Sequence, residues 1–163
     1  MAAIAVADTL GVSEAAQRRA IRQIEQVEHR LSVRRSAGGV TVIDDAYNSN
    51  PSGAKMALEV LRNFALAEGA QRIVVTPGFV EMGDSQFRNN RELGQNIAQA
   101  ADLVVVVNRI NRQAIVQGLC DNSFSEDNIL QTDSFAEASA YLAGVLRAGD
   151  VVLYENDLPD SFK

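Results

Sequence analysis

Leu103-Val104-Val105-Val106-Val107 is a run of five apolar residues, four of them branched at Cβ. Side chains of that shape pack well on a pleated strand, and a strand that is apolar on both faces must be covered on both, as in parallel sheets flanked by helices. Upstream, Arg72–Thr76 reads as a second such strand. The segment Phe87–Ala101 between them carries Leu93, Ile97, Ala98 and Ala101 at helical spacing. The alternation continues in both directions. Downstream come a helix over Arg112–Leu119, a short strand near Ile129–Gln131, a helix over Phe135–Leu146 and a strand over Val151–Tyr154. Upstream is a helix over Pro51–Glu68 with Ala57, Leu58, Leu61, Phe64 and Ala65 on one face. Before it, Leu31–Ser36 and Val40–Asp44 flank Gly38-Gly39 as a β-hairpin.

Repeated β-α-β units with apolar strands specify a doubly wound, Rossmann-like α/β sandwich of three layers. Its sheet is mostly parallel, with one antiparallel edge strand from the hairpin. Residues 1–28 have a different texture and read as a short helical segment broken at Gly11. Ser13 caps the second helix, Ala20, Ile21, Ile24 and Val27 form an apolar stripe, and Arg18, Arg19, Arg22 and Glu25 lie largely opposite. The boundary between the two regions falls at about Glu28–Leu31.

At 163 residues the chain is one ordinary domain, and its apolar content of 47% excludes a disordered or collagen-like polymer. No apolar run approaches the ~18 residues of a membrane span, and Met1–Ala7 is too short and lacks the basic start of a signal peptide. The net charge of −6 works against indiscriminate binding to nucleic acid or an anionic membrane. One cysteine, Cys120, excludes an internal disulfide and reads as a half-buried structural thiol. With one histidine, His29, beside it in the inventory, a thiolate–imidazole zinc site is excluded too.

Open α/β sheets bind ligands beyond the carboxyl ends of their strands. The first parallel strand ends in Asp44-Asp45-Ala46-Tyr47-Asn48-Ser49-Asn50-Pro51-Ser52. Helix capping accounts for Asn50 and Pro51. It leaves Asp44, Asp45 and Tyr47 as strand-end choices that call for something polar. Gly78-x-x-x-x-Gly83-Asp84-Ser85 has the spacing of a phosphate-binding loop, but Asp84 replaces the lysine and would repel phosphate. A phospho-receiver reading fails because Asn108 follows the strand where an acceptor aspartate is required. His29-Arg30 at the boundary offers a guanidinium fork suited to phosphate, or else a surface ion pair with Glu25 or Glu28. Glu155-Asn156-Asp157 at the last strand end suits a cationic ligand, the plainer reading being a solvated acidic tail.

The Asp44–Ser52 segment resembles the opening of the C-terminal domain of the Mur ligases of peptidoglycan synthesis, most nearly the type that adds D-alanyl-D-alanine to UDP-muramoyl tripeptide. His29-Arg30-Leu31 resembles the boundary arginine motif before it, and Glu81-Met82-Gly83 with Gly94 matches a Glu-Leu-Gly…Gly pattern. The resemblance covers nearly the whole chain. It departs at Pro77-Gly78, where relatives often have Gly-Asp; at Asn90, where histidine is common; and at Glu155-Asn156-Asp157, where Lys-Gly-Ser is usual.

The resemblance implies that residues 1–30 are the last helices of a ligase central domain and 31–163 the C-terminal domain of a cytoplasmic enzyme. It implies ATP and Mg2+ as cofactors, the metal held mainly by a central domain outside this chain. Partners would be the UDP-muramoyl peptide, D-Ala-D-Ala and the rest of the same polypeptide, with no nucleic acid and no membrane insertion. Carried over, Arg30 would contact the terminal phosphate. Asp45, Tyr47, Asn48 and Asn50 would line the nucleotide, Asp45 at the ribose hydroxyls. Glu155, Asn156 and Asp157 would face the incoming substrate. Two alternatives stay open: a Mur-type ligase with another amine acceptor, and a non-catalytic ligand-binding module on the same fold.

Overall fold

The computed structural model describes residues 2–25, 27–47 and 49–157. Two short helices, α1 (Ala2–Thr9) and α2 (Glu14–Arg22), precede an alternating series: β1 (Ser32–Arg35), β2 (Thr41–Asp45), α3 (Pro51–Asn63), β3 (Arg72–Thr76), α4 (Gln86–Ile97), β4 (Leu103–Val107), α5 (Arg112–Asp121), β5 (Ile129–Thr132), α6 (Phe135–Val145) and β6 (Val151–Glu155). The six strands form one sheet in the order β1-β2-β6-β3-β4-β5. β1 pairs antiparallel with β2 and every other pair is parallel. The expected α/β sandwich with one antiparallel edge strand is therefore the architecture found.

The chain runs outward from β3 to β5 and then returns through α6 to place β6 between β2 and β3. The outward helices α3, α4 and α5 pack on one face, where Ile43, Val74, Val104, Val106, Val151 and Leu153 meet Leu58, Leu61, Leu93, Ile97, Ile115 and Leu119. The return helix α6 packs on the other, where Val75, Val105, Val107 and Val152 meet Ala138 and Leu142. Coverage of β3 and β4 from both sides is the physical reason for their unbroken apolar runs. The five parallel strands β2 to β6 thus end at one edge of the sheet, which positions the site.

Local chemistry sets the element ends. Asn50 caps α3 by accepting from the Ser52 and Gly53 N–H groups, with Pro51 as its first residue. α3 stops at Asn63 rather than continuing to Glu68, because the Arg72 guanidinium donates to the carbonyls of Leu61, Arg62 and Phe64 and so terminates its last turn. α4 likewise ends at Ile97, four residues before the expected Ala101.

Two further expectations change. Ser13 does cap the second helix, but that helix ends at Arg22, so Ile24 and Val27 lie beyond it and no apolar stripe is buried: Ile21, Ile24 and Val27 are all exposed. Cys120 is exposed, not half-buried, because it falls on the outer side of α5 beside the buried Leu119. No helix among the described residues is long and apolar enough to cross a membrane.

Candidate functional site at the strand ends

Successive residues of a strand point to opposite faces, and the end of β2 uses this to separate two adjacent carboxylates. Asp44 lies in register with Tyr154 and Asp45 with Glu155. On its face, Asp44 is nearly buried and its Oδ2 meets His29 Nδ1 at 2.9 Å, while Oδ1 accepts from the Ala46 N–H. On the other face, Asp45 Oδ1 accepts from the Leu31 N–H at 2.9 Å. Burial pushes the Asp45 carboxyl above its ordinary range, the Leu31 amide and Arg30 acting against the shift and Asp44 adding to it.

These contacts clasp the boundary segment against the loop after β2. The Tyr47 N–H donates to the His29 carbonyl at 3.1 Å, and the Arg30 guanidinium carbon lies 4.4 Å from the centroid of the Tyr47 ring. His29 and Leu31 hold φ values of 58° and 53°, a left-handed conformation uncommon for residues with a Cβ. The Leu31–Asp45 and His29–Asp44 hydrogen bonds hold them there. Among the described residues Arg30 takes part in none of the ion pairs, so the surface pairing with Glu25 or Glu28 is not what the arginine does. Tyr47 is 65% exposed, so the stacked pair faces solvent at the strand ends.

The remaining sequence-selected residues are placed as follows. Asn50 lies at the rim with its Oδ1 engaged in capping α3, and Asn48 lies outside the described residues. The stretch at the end of β6 is not a solvated acidic tail. Glu155 is 0% exposed and accepts a hydrogen bond from the Ser49 hydroxyl. Asn156 is buried, its Oδ1 accepting from the Ser49 N–H and its Nδ2 donating to the Gly78 carbonyl. Its φ of 66° lies in the left-handed region, which asparagine tolerates better than most residues with a Cβ. Burial pushes the Glu155 carboxyl up to about 8, with the Ser49 hydroxyl opposing and Asp45 reinforcing the shift.

A cleft of about 550 Å³ opens on the Asp44 face, lined among others by His29, Arg34, Asp44, Asp133, Tyr154 and Asp157. Arg30, Asp45, Tyr47 and Asn50 lie outside its lining. Sequence reading missed Arg34 and Asp133. Arg34 was legible in principle, since it faces Val42 across the hairpin and therefore shares the face of Asp44. Asp133 is held by Arg109 and Arg112, which keep its carboxyl well below the usual range.

A family model described as Mur ligase, glutamate ligase domain, matches residues 29–154. The UDP-N-acetylmuramoylalanine–D-glutamate ligase of Pelotomaculum thermopropionicum is 29% identical over 153 residues, covering 94% of this chain and 30% of its own length. The UDP-N-acetylmuramoyl-tripeptide–D-alanyl-D-alanine ligase of Mycobacterium leprae is 30% identical over 144 residues, covering 77% of this chain and 26% of its own. The crystal structure of the MurF ligase from Thermotoga maritima in complex with ADP has the same fold, with a TM-score of 0.76 and 24% identity over 94% of this chain and 33% of that one. The chain thus spans less than a third of the length of these two curated relatives.

Proposed function

We propose, since this chain belongs to the Mur ligase family, that residues 31–163 are the C-terminal domain of an ATP-dependent amide ligase of peptidoglycan precursor synthesis. Residues 1–30 are the last helices of its central domain. The observation that carries the reading is the clasp at Arg30, which fixes a guanidinium at the strand ends beside Asp45 without engaging it in an ion pair. Such a group is free to meet a phosphate, and a nearby carboxyl that accepts hydrogen bonds suits a ribose. The nucleotide named in the Thermotoga maritima structure is ADP, which agrees with a nucleotide here.

In this reading ATP supplies the phosphoryl group that activates a muropeptide carboxylate as an acyl phosphate, from which an incoming amine displaces phosphate. Arg30 contributes positive charge toward the terminal phosphate, where negative charge develops during transfer. Asp45 receives ribose hydroxyls, and Tyr47, Asn48 and Asn50 border the nucleotide. Asp157, at the cleft, faces the incoming substrate, with Glu155 and Asn156 shaping that end of the site from within. Mg2+ is held mainly by the preceding domain; among the described residues no group of three or more His, Cys, Asp or Glu side chains could hold a metal ion.

D-Ala-D-Ala is the proposed acceptor and UDP-muramoyl tripeptide the proposed carboxylate donor. A second acceptor, D-glutamate, is favoured by the Pelotomaculum thermopropionicum relative, which matches more of this chain than the Mycobacterium leprae one. Phosphate release from ATP by the complete polypeptide containing this chain decides between them. Release with the tripeptide that requires D-Ala-D-Ala and collapses in Asp45→Ala supports the first reading. Release that requires D-glutamate and UDP-muramoyl-alanine transfers the same machinery to the second. ATP turnover unaffected by both Asp45→Ala and Arg30→Ala refutes a nucleotide role for this edge of the sheet.

A further inference from the structure

On β6, Val151 and Leu153 face the core beneath α3, and strand alternation puts Glu155 on the same face. The third position of an apolar series is therefore a carboxyl group, fully buried. One of its oxygens accepts from the Ser49 hydroxyl; the other, Oε2, is buried and makes no hydrogen bond among the described residues. The next residue completes the attachment. The Asn156 N–H donates to the Asp45 carbonyl at 3.2 Å, its Oδ1 accepts from the Ser49 N–H at 3.1 Å, and its Nδ2 donates to the Gly78 carbonyl at 2.7 Å. Ser49 is thus gripped by hydroxyl and amide from Glu155, the last residue of β6, and from Asn156 just after it, which is braced in turn against the loop after β3. The gripped loop is the one that carries Tyr47 beneath Arg30.

A buried carboxyl with an unpartnered oxygen is tolerable as the neutral acid and costly as the anion. The charged groups around it make the anion no easier. β2 presents Asp45, in register with Glu155 and of the same sign. The first turn of α3 and the end of β3 at Thr76–Gly78 present no charge. The first charged residue of α3, Lys55, pairs with Glu92. Arg30, the cation on this edge, acts on Asp45.

We propose that Glu155 is a positioning residue that, as a neutral carboxylic acid, holds the loop after β2 in place at Ser49. Loss of its proton sets a second negative charge beside Asp45 and releases the loop, and with it the Tyr47–Arg30 pair. With this carboxyl pushed up to about 8, its hold weakens as pH rises and is gone by about pH 8. Its consequence for nucleotide binding rests on the function proposed above; the latch itself does not.

Two measurements test it. In the 163-residue chain, amide hydrogen exchange at residues 46–50, corrected for its intrinsic pH dependence, should accelerate by up to about tenfold per pH unit between pH 5 and 8 in the wild type, as opening releases one proton, and level off above 8. It should stay flat in Glu155→Gln, which is neutral at every pH and keeps an acceptor for Ser49. Wild-type exchange that follows Glu155→Gln throughout overturns the latch, as does acceleration in both. Ser49→Ala, which removes the hydroxyl and leaves the amide contact, should lower the pH dependence without abolishing the fold. In the complete ligase, the KM for ATP should rise over the same interval in the wild type and not in Glu155→Gln, with kcat changing less. A pH-dependent loop with a pH-independent KM leaves the latch standing and removes the nucleotide from this loop.

Discussion

The Arg30 guanidinium stacks on Tyr47, its central carbon 4.4 Å from the ring centroid. Neither side chain is buried, so the pair positions the charge rather than stabilising the domain. At an exposed site a cation–π contact contributes about 0.5–1 kcal/mol.

Replacing Tyr47 by leucine should therefore lower kcat/KM of the complete ligase by about two- to fivefold, the ratio that corresponds to that energy. Tyr47→Phe keeps the ring and should stay close to wild type. The thermal midpoint of both variants should be unchanged. Equal losses in the two variants would point to the phenolic hydroxyl instead of the stacked face.

Glu155 also makes an equilibrium prediction. Its folded value of about 8 lies above the ordinary glutamate value of 4.5, so between these the folded state holds a proton that the unfolded chain has released. Stability from this group is complete below about 4.5, falls as pH rises, and is lost once pH passes about 8. Glu155→Gln carries no such proton. Denaturant unfolding should show the variant gaining on the wild type steadily from pH 5 to pH 8, then running parallel to it. A constant difference across that range would mean that the carboxyl is ionised in the fold.

The strands were legible because continuous apolar runs admit few other readings: β3 and β4 fall on Arg72–Thr76 and Leu103–Val107, the segments expected. Helix ends were less so, because they depend on distant groups. Nothing near Asn63 announces that Arg72, nine residues on, takes the last carbonyls of α3. At the site, the Asp44–Asn50 segment showed its polarity but not that Asp44 and Asp45 serve opposite faces, which requires the register with Tyr154 and Glu155. Glu155 carried a readable signal that went unused: Val151, Leu153 and Glu155 alternate in step, and the period places the carboxyl inside.

Two glycines on facing helices make a sharp packing test. A Cβ at Gly118 of α5 would sit 2.0 Å from the Arg91 carbonyl oxygen of α4, and one at Gly94 of α4 would sit 2.2 Å from the Ile115 carbonyl oxygen of α5. These neighbours are backbone, so the helices themselves must separate. Gly118→Ala should cost about 1–3 kcal/mol of unfolding free energy. Gly144→Ala, in α6 with open space around it, should instead stabilise by about 0.5–1 kcal/mol through the lower chain entropy of alanine. The opposite signs in one denaturation series would separate close helix contact from a general intolerance of substitution.

Asn90 stands fully buried at the first turns of α4 and supports the loop after β3. Its Oδ1 accepts from the Phe79 N–H, and its Nδ2 donates to the Phe79 and Gln86 carbonyls. Asn111 reinforces the same turn by donating to the Pro77 and Phe79 carbonyls. Each buried group left without a partner costs about 1–3 kcal/mol. Asn90→Ala should therefore destabilise the chain markedly, and Asn90→Asp more so at neutral pH, because a carboxylate would face two carbonyl oxygens. Lowering the pH should recover part of the loss in Asn90→Asp alone, since the protonated acid regains one donor, and urea midpoints at pH 5 and 7 read this directly. The loop it supports presents the Gly78 carbonyl to Asn156. The same substitutions should therefore loosen residues 46–50 in hydrogen exchange while leaving the protection of β4 intact at low denaturant; equal loss in both would show that Asn90 supports the whole sheet rather than this loop.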